Sequence, residues 1–272
     1  MIGPRIGPKF GYRVGGAFGV GADQAAPPVA SWSVDAASGK GVPNTEGEWT
    51  TLFATLAGGG APVSLHRCQE SSGDLADTIG SMTLTASGTC SYNNAVTGWT
   101  RTALGLTDVA AGKWDTAGGP NPGSTSIAAL LYMSVTVPGT SRWFLQLNTD
   151  ASYRAYMEQT SGGLLRIVYG GGSNSAGSTS YNGGISAVFP VLYVFDRVNS
   201  RHKFFTNSEV VSATYSAIVT NLRRGLGGGV STPPTSRYLY AAWWSGANAA
   251  WLSTDANAKS LLQALGWTVT GY

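Results

Sequence analysis

Charged side chains are scarce in this sequence: 11% of its 272 residues, where roughly one quarter is usual. The 17 basic and 14 acidic residues leave a formal charge of +3, and the basic ones are scattered except near the start. That distribution argues against nucleic-acid binding by the body of the molecule. Cysteine and histidine are rare too, at two each. With no CxxC and no Cys/His cluster, the sequence argues against structural zinc. Neither His66 nor His202 has a neighbouring Ser/Asp or Cys pattern of a catalytic triad, and His202, between Arg201 and Lys203, is expected to be solvated. No run of about 18 apolar residues occurs, so no membrane-spanning helix is expected. Met1 to Val20 also lacks the apolar core and small-residue cleavage site of a secretory signal.

What the chain does contain is glycine, 38 residues of it, together with 11% aromatics and nine tryptophans. Its polarity comes from Ser, Thr and Asn, which suit strands and turns better than exposed helices. With 43% hydrophobic residues a sizeable core is expected rather than disorder. Cys68 and Cys90 are expected in strands near the start of the main domain. A bridge between paired strands and two buried free thiols both remain open there.

The first twenty residues repeat every four: glycine at 3, 7, 11, 15 and 19, each preceded by an apolar residue. At a strand's period of two, Ile2, Ile6, Phe10, Tyr12, Val14 and Phe18 fall on one face, opposite glycine, Arg5, Lys9 and Arg13. Pro4, Pro8 and the three cations oppose a membrane-helix reading of the glycine spacing. Such a face is too small to fold alone. It predicts a docking arm over residues 1–28 that lies along a partner or a second copy in a homo-oligomer. Pro27 and Pro28 close it as a stiff linker.

Residues 29–63 are expected to be a short-strand connecting region, and 64–272 the main domain. Within it, strands are predicted at 83–86, 127–137, 142–147, 153–159, 164–169, 188–196, 202–207 and 237–244, separated by Gly, Pro, Asn or Ser. Eight or more short strands at this spacing mean an all-β sandwich or barrel. One helix is predicted at about 253–265, capped by Ser253 or Thr254, with Leu261, Leu262 and Leu265 inward and Gly266 as its stop.

Three segments carry a family resemblance. Cys68–Thr85 is similar to the opening strand and D-x-x-G turn of laminin-G-like domains, Val191–Asn207 to their strand–turn–strand hairpin, and Tyr238–Trp244 with the helix after it to their close. The chain thus resembles the concanavalin A-like superfamily of jelly-roll β-sandwiches over roughly residues 64–267. This sandwich hosts many unrelated functions, so the resemblance implies a fold and not an activity.

Hydrolases of that superfamily carry an E-x-D-x-x-E run, since retaining chemistry needs two carboxyls about 5 Å apart. The run is missing here. Glu46 and Glu48 share a predicted strand face, and Glu70, Asp74 and Asp77 fall in the opening turn, so a non-enzymatic protein is expected. The resemblance implies Ca²⁺ at the sandwich rim in some relatives, and Asp74 and Asp77, with Asp115, are the weak candidates here; turn-stabilising carboxylates are the plainer reading. For glycan binding the best platform is Trp114 with Asp115 and Asn121, then Tyr181 and Trp244, although Trp in a sandwich is more often core.

Two functions follow. One is a structural or adhesive virion component, a phage capsid decoration or tail-associated protein held by its arm, since virion parts need no export signal. The other is a carbohydrate-binding, lectin-like module at a bacterial cell surface.

Overall fold

The structure, a computed structural model, describes residues 31–106, 112–117, 125–136, 142–148, 154–170, 174–180, 184–214, 222–227 and 235–272. Ser31–Tyr272 is one compact unit. The predicted docking arm, including Ile2, Ile6, Phe10, Tyr12, Val14 and Phe18, lies outside the described residues.

Strands in chain order are β1 (Ser64–His66), β2 (Thr85–Gly88), β3 (Ser91–Asn94), β4 (Ala103–Leu106), β5 (Gly112–Ala117), β6 (Ile127–Val135), β7 (Arg142–Asn148) and β8 (Arg154–Gln159). They continue with β9 (Leu164–Gly170), β10 (Asn174–Ser180), β11 (Gly184–Asp196), β12 (Arg201–Phe205), β13 (Val210–Thr214), β14 (Leu222–Gly227) and β15 (Ser236–Ser245). Helices are α1 (Glu46–Thr55), α2 (Gly246–Trp251) and α3 (Asp255–Ala264).

Among the described residues these strands build two antiparallel sheets. The first has the order β13-β12-β11-β6-β15-β4-β3, with β1 beside β15; the second has the order β10-β9-β8-β7-β14-β5-β2. One core lies between them, where Leu131, Met133, Tyr193 and Trp243 of the first sheet meet Trp114, Leu145, Met157 and Leu226 of the second. The expected all-β jelly-roll sandwich with a short C-terminal helix is therefore what forms.

The first sheet is also covered on its other face. Leu130, Tyr132, Leu192, Tyr240 and Trp244 pack there against Trp49, Phe53, Leu252, Leu261 and Trp267 from the helices and the tail. A sheet buried on both faces needs continuous apolar strands rather than alternation. That accounts for Ala-Ala-Leu-Leu-Tyr-Met in β6 and Tyr-Ala-Ala-Trp-Trp in β15. A register shift between Tyr238 and Tyr240 changes the parity of β15, so Tyr238 faces one core and Tyr240 the other.

Helix α3 matches the expected one. Thr254 caps it by accepting from Asn257 N, Leu261 and Leu262 are buried, and Gly266 follows at φ +81. Helix α1 corrects the sequence reading, which placed short strands in 29–63. Thr45 accepts from Glu48 N, and Glu48 Oε2 reaches back to Asn44 N at 2.5 Å, a variant of the capping box. Trp49, Leu52 and Phe53 form its buried face. Glu46 and Glu48 thus lie in the first turn of a helix and share no strand face.

The segment before α1 is fastened by Asp35, which is 3% exposed. Its carboxylate accepts from Ser38 N and Oγ, both at 3.0 Å, from Arg101 N at 3.1 Å, and from Thr100 N and Oγ. Burial alone would raise its pKa, but the hydrogen bonds from Thr100 and Ser38 outweigh it and hold the carboxyl at about 2.

Cys68 and Cys90 are free thiols, and neither lies in a strand as expected. Cys68 is buried, with its Sγ 3.7 Å from His66 O. Cys90 is half-buried, with its Sγ 3.6 Å from both Ser87 O and Lys113 O.

Candidate functional site

Among the glycan-platform residues expected from the sequence, the rings of Trp114 and Trp244 are not surface features. Trp114 is fully buried: its indole donates to Gly73 O at 3.3 Å, and its ring stands edge-on to Tyr92 at 5.9 Å. Trp244 is fully buried as well, donating to Gly60 O at 2.8 Å and meeting Trp49 edge-on at 5.1 Å. Both rings fill the core because their sheets are covered on the faces they occupy. Asp115 is paired with Lys113 at 2.7 Å, two residues away on the same strand face. Asn121 and Tyr181 lie outside the described residues.

The weak calcium candidates also turn inward on their own backbone. Asp77 Oδ1 accepts from Leu65, Ile79 and Gly80 N–H, and its Oδ2 from Met82 N. This is the D-x-x-G turn seen in the sequence. Asp74 accepts from Ala86 N at 2.8 Å, and Glu70 from Ala76 N at 3.1 Å. Among the described residues no group of three acidic, His or Cys side chains is placed to hold a metal.

The histidines are interior. His66 has Ser64 Oγ at 3.1 Å from Nε2 and Ala76 O at 3.1 Å from Nδ1, and burial lowers it to about 4. His202 is buried rather than solvated. It alternates with Arg201 and Lys203 along β12, so it points inward while they point out, and its Nδ1 meets the Tyr193 hydroxyl. Burial lowers it to about 3.

What the fold does place at the surface is a cleft of about 530 Å³ between the β11–β12 hairpin and the start of α3. Asp196, Asn199, Arg201 and Lys203 form one wall, and residues Ser253 to Asp255 the other. Asp196 ends β11 and is 2% exposed. Its Oδ1 accepts from Val198 N at 3.1 Å and Asn199 N at 3.2 Å, and its Oδ2 from Asn199 Nδ2 at 2.7 Å, which fixes the turn. Ser200 closes that turn at φ +50. Lys203 Nζ spans the cleft floor to Ser253 O at 2.8 Å and Asp255 Oδ1 at 2.9 Å, tying hairpin to helix. Arg201 is exposed beside them. Two carboxylates, two cations, an amide and hydroxyls thus converge with little net charge, a set able to donate to and accept from a polyhydroxylated ligand.

The sequence reading found this hairpin in Val191–Asn207 and gave it no role. The available signal was the Asp196…Asn199 turn between two strands, with charges alternating about His202.

No protein-family model matches the chain, and no curated protein matches it by sequence. Its backbone, however, is similar to solved structures. A Trypanosoma rangeli sialidase in complex with sialic acid superposes with a TM-score of 0.55 at 10% identity, over 78% of this chain and 34% of that one. A receptor binding domain gives 0.53 at 11% identity, over 75% and 51%. The binding domain of botulinum neurotoxin DC in complex with SialylT gives 0.50 at 11% identity, over 75% and 52%. What they share with this chain is the fold. The chain spans about a third of the sialidase and about half of the two binding domains.

Proposed function

We propose that the protein is a lectin-like, glycan-binding β-sandwich that uses the cleft between the β11–β12 hairpin and α3. The observation that carries this reading is the cleft itself: about 530 Å³ of space, lined by polar groups, on a hairpin tied to α3 by Lys203. A sugar presents hydroxyls that Asp255 can accept from, and oxygens to which Arg201 and Asn199 can donate, while Asp196 holds the turn that carries them. The names of the sialidase and neurotoxin-domain structures, which include sialic acid and SialylT, support a carbohydrate ligand. They favour this reading over a phage virion role. The alternating face of residues 2–20 supports a companion role for the arm, docking onto a partner subunit or a second copy.

The test is a glycan array probed with the full chain, followed by titration of the best glycan against Arg201→Ala. The Arg201 side chain is exposed, so its removal should leave the fold intact while weakening binding about tenfold or more. An array without a hit, or full affinity in the Ala variant, would refute the cleft as a glycan site.

A further inference from the structure

At the interior of the sandwich, β14 places an arginine where hydrophobic side chains are the rule. Arg224 shares an inward face with Leu226 and is 1% exposed. Its guanidinium lies over the Trp243 ring, 5.5 Å from the centroid. Nη1 donates to Met82 Sδ at 3.2 Å, but Nε and Nη2 are buried with no hydrogen-bond partner. The indole Nε1 of Trp243 is buried without a partner as well.

Leaving such a donor buried and unpaired costs its full desolvation, and more where the group is charged. The nearby charge does not relieve it. The Asp77 carboxylate is committed to four backbone N–H groups, and among the described residues no ion pair includes Arg224. Burial also lowers the arginine, to about 10, with Asp77 as the main opposing influence. His66 is held neutral by its own burial and adds no charge.

The two unpaired atoms form a particular pair. The Nε–H and Nη2–H bonds of a guanidinium run parallel, and this edge matches the two oxygens of a carboxylate in a bidentate contact. We propose that the Nε/Nη2 edge of Arg224, held over the Trp243 ring, is an internal binding site for a carboxylate. Met82, partly buried and reaching the guanidinium from the turn after Asp77, occupies Nη1 and leaves the Nε/Nη2 edge to the ligand. The site stands on different residues from the hairpin cleft, so either can fail without the other.

Acetate is the probe, added to the full chain at constant ionic strength with sodium chloride as the balance. Arginine Nε–H signals are followed by ¹⁵N–¹H spectroscopy, Arg224 being assigned by its loss in Arg224→Lys and its proximity to the Trp243 ring. The expected result is a saturable shift of that one signal and a rise in unfolding temperature that chloride does not reproduce. Arg224→Lys, which lacks the fork, should weaken acetate about tenfold. Glucuronate serves as a second arm. Saturation by glucuronate as well assigns the site to the acid group of a sugar, and saturation by acetate alone assigns it to a free small acid. An unshifted Arg224 signal, a response equalled by chloride, or a response retained in the Lys variant would overturn the proposal. If the Lys variant does not fold, the assigned wild-type signal decides alone.

Discussion

Replacing Asp35 by asparagine tests how the N-terminal segment of the compact unit is held. The carboxylate gathers donors from Ser38, Thr100 and Arg101, joining residues far apart in sequence. An ordinary carboxyl sits at 3.8 and this one at about 2. At ~1.4 kcal/mol per tenfold change in proton affinity, that gap corresponds to about 2 kcal/mol of folding stability. Because the folded carboxyl lies below its unfolded value, this stability is fully present above pH ~4 and is lost as the pH falls through about 2. The Asp35→Asn change also turns an amide towards backbone N–H groups, so the loss at pH 7 should be at least about 2 kcal/mol, or roughly 4–8 °C in a unit of this size. Urea unfolding of both proteins at pH 7, 5, 3.5 and 2.5 reads it directly. The difference should be constant down to about pH 5 and shrink towards pH 2. A difference that is independent of pH, or under about 1 kcal/mol at neutrality, would refute the reasoning.

Two further expectations concern the interior. Trp244→Ala removes the ring that Trp49 and Phe53 meet edge-on and orphans the Gly60 carbonyl, so chemical denaturation should show a loss of about 3–5 kcal/mol. His66 and His202 are held neutral by burial, at about 4 and about 3, below their unfolded value of 6.5. Stability should therefore fall as the pH drops from about 6.5 towards 4.5, before carboxylates contribute; a flat unfolding midpoint over that window would mean that both rings are hydrated.

The sandwich was legible because strand signals are local: β-branched and aromatic runs ended by Gly, Asn or Ser need no knowledge of the rest of the chain. Helix α1 was not legible in that way. Gly47, Thr50 and Thr51 are weak helix formers, and Trp49, Leu52 and Phe53 become a helical face only when the outer side of the first sheet is there to receive them. Its one local signal is the Thr45-x-x-Glu48 cap. Trp114 and Trp244 misled for a related reason. An aromatic beside Asp or Ser reads as amphipathic, yet both sheets place these rings inside. His202 misled through its neighbours, since the polarity of Arg201 and Lys203 says nothing of the opposite face of the strand. The cleft unites residues about fifty positions apart through the Lys203 bridge to Asp255, a meeting that only the fold arranges.

The double covering of the first sheet has a consequence for recognition. Val191 to Phe195 are clamped from both sides up to the residue before Asp196, and α3 is seated in the same outer layer by Leu261 and Leu262. Both banks of the cleft therefore rest on one foundation. For the glycan proposed to bind there, the turn held by Asp196 and the Lys203 bridge to Asp255 are already set in position, and little interaction energy would be consumed in ordering them.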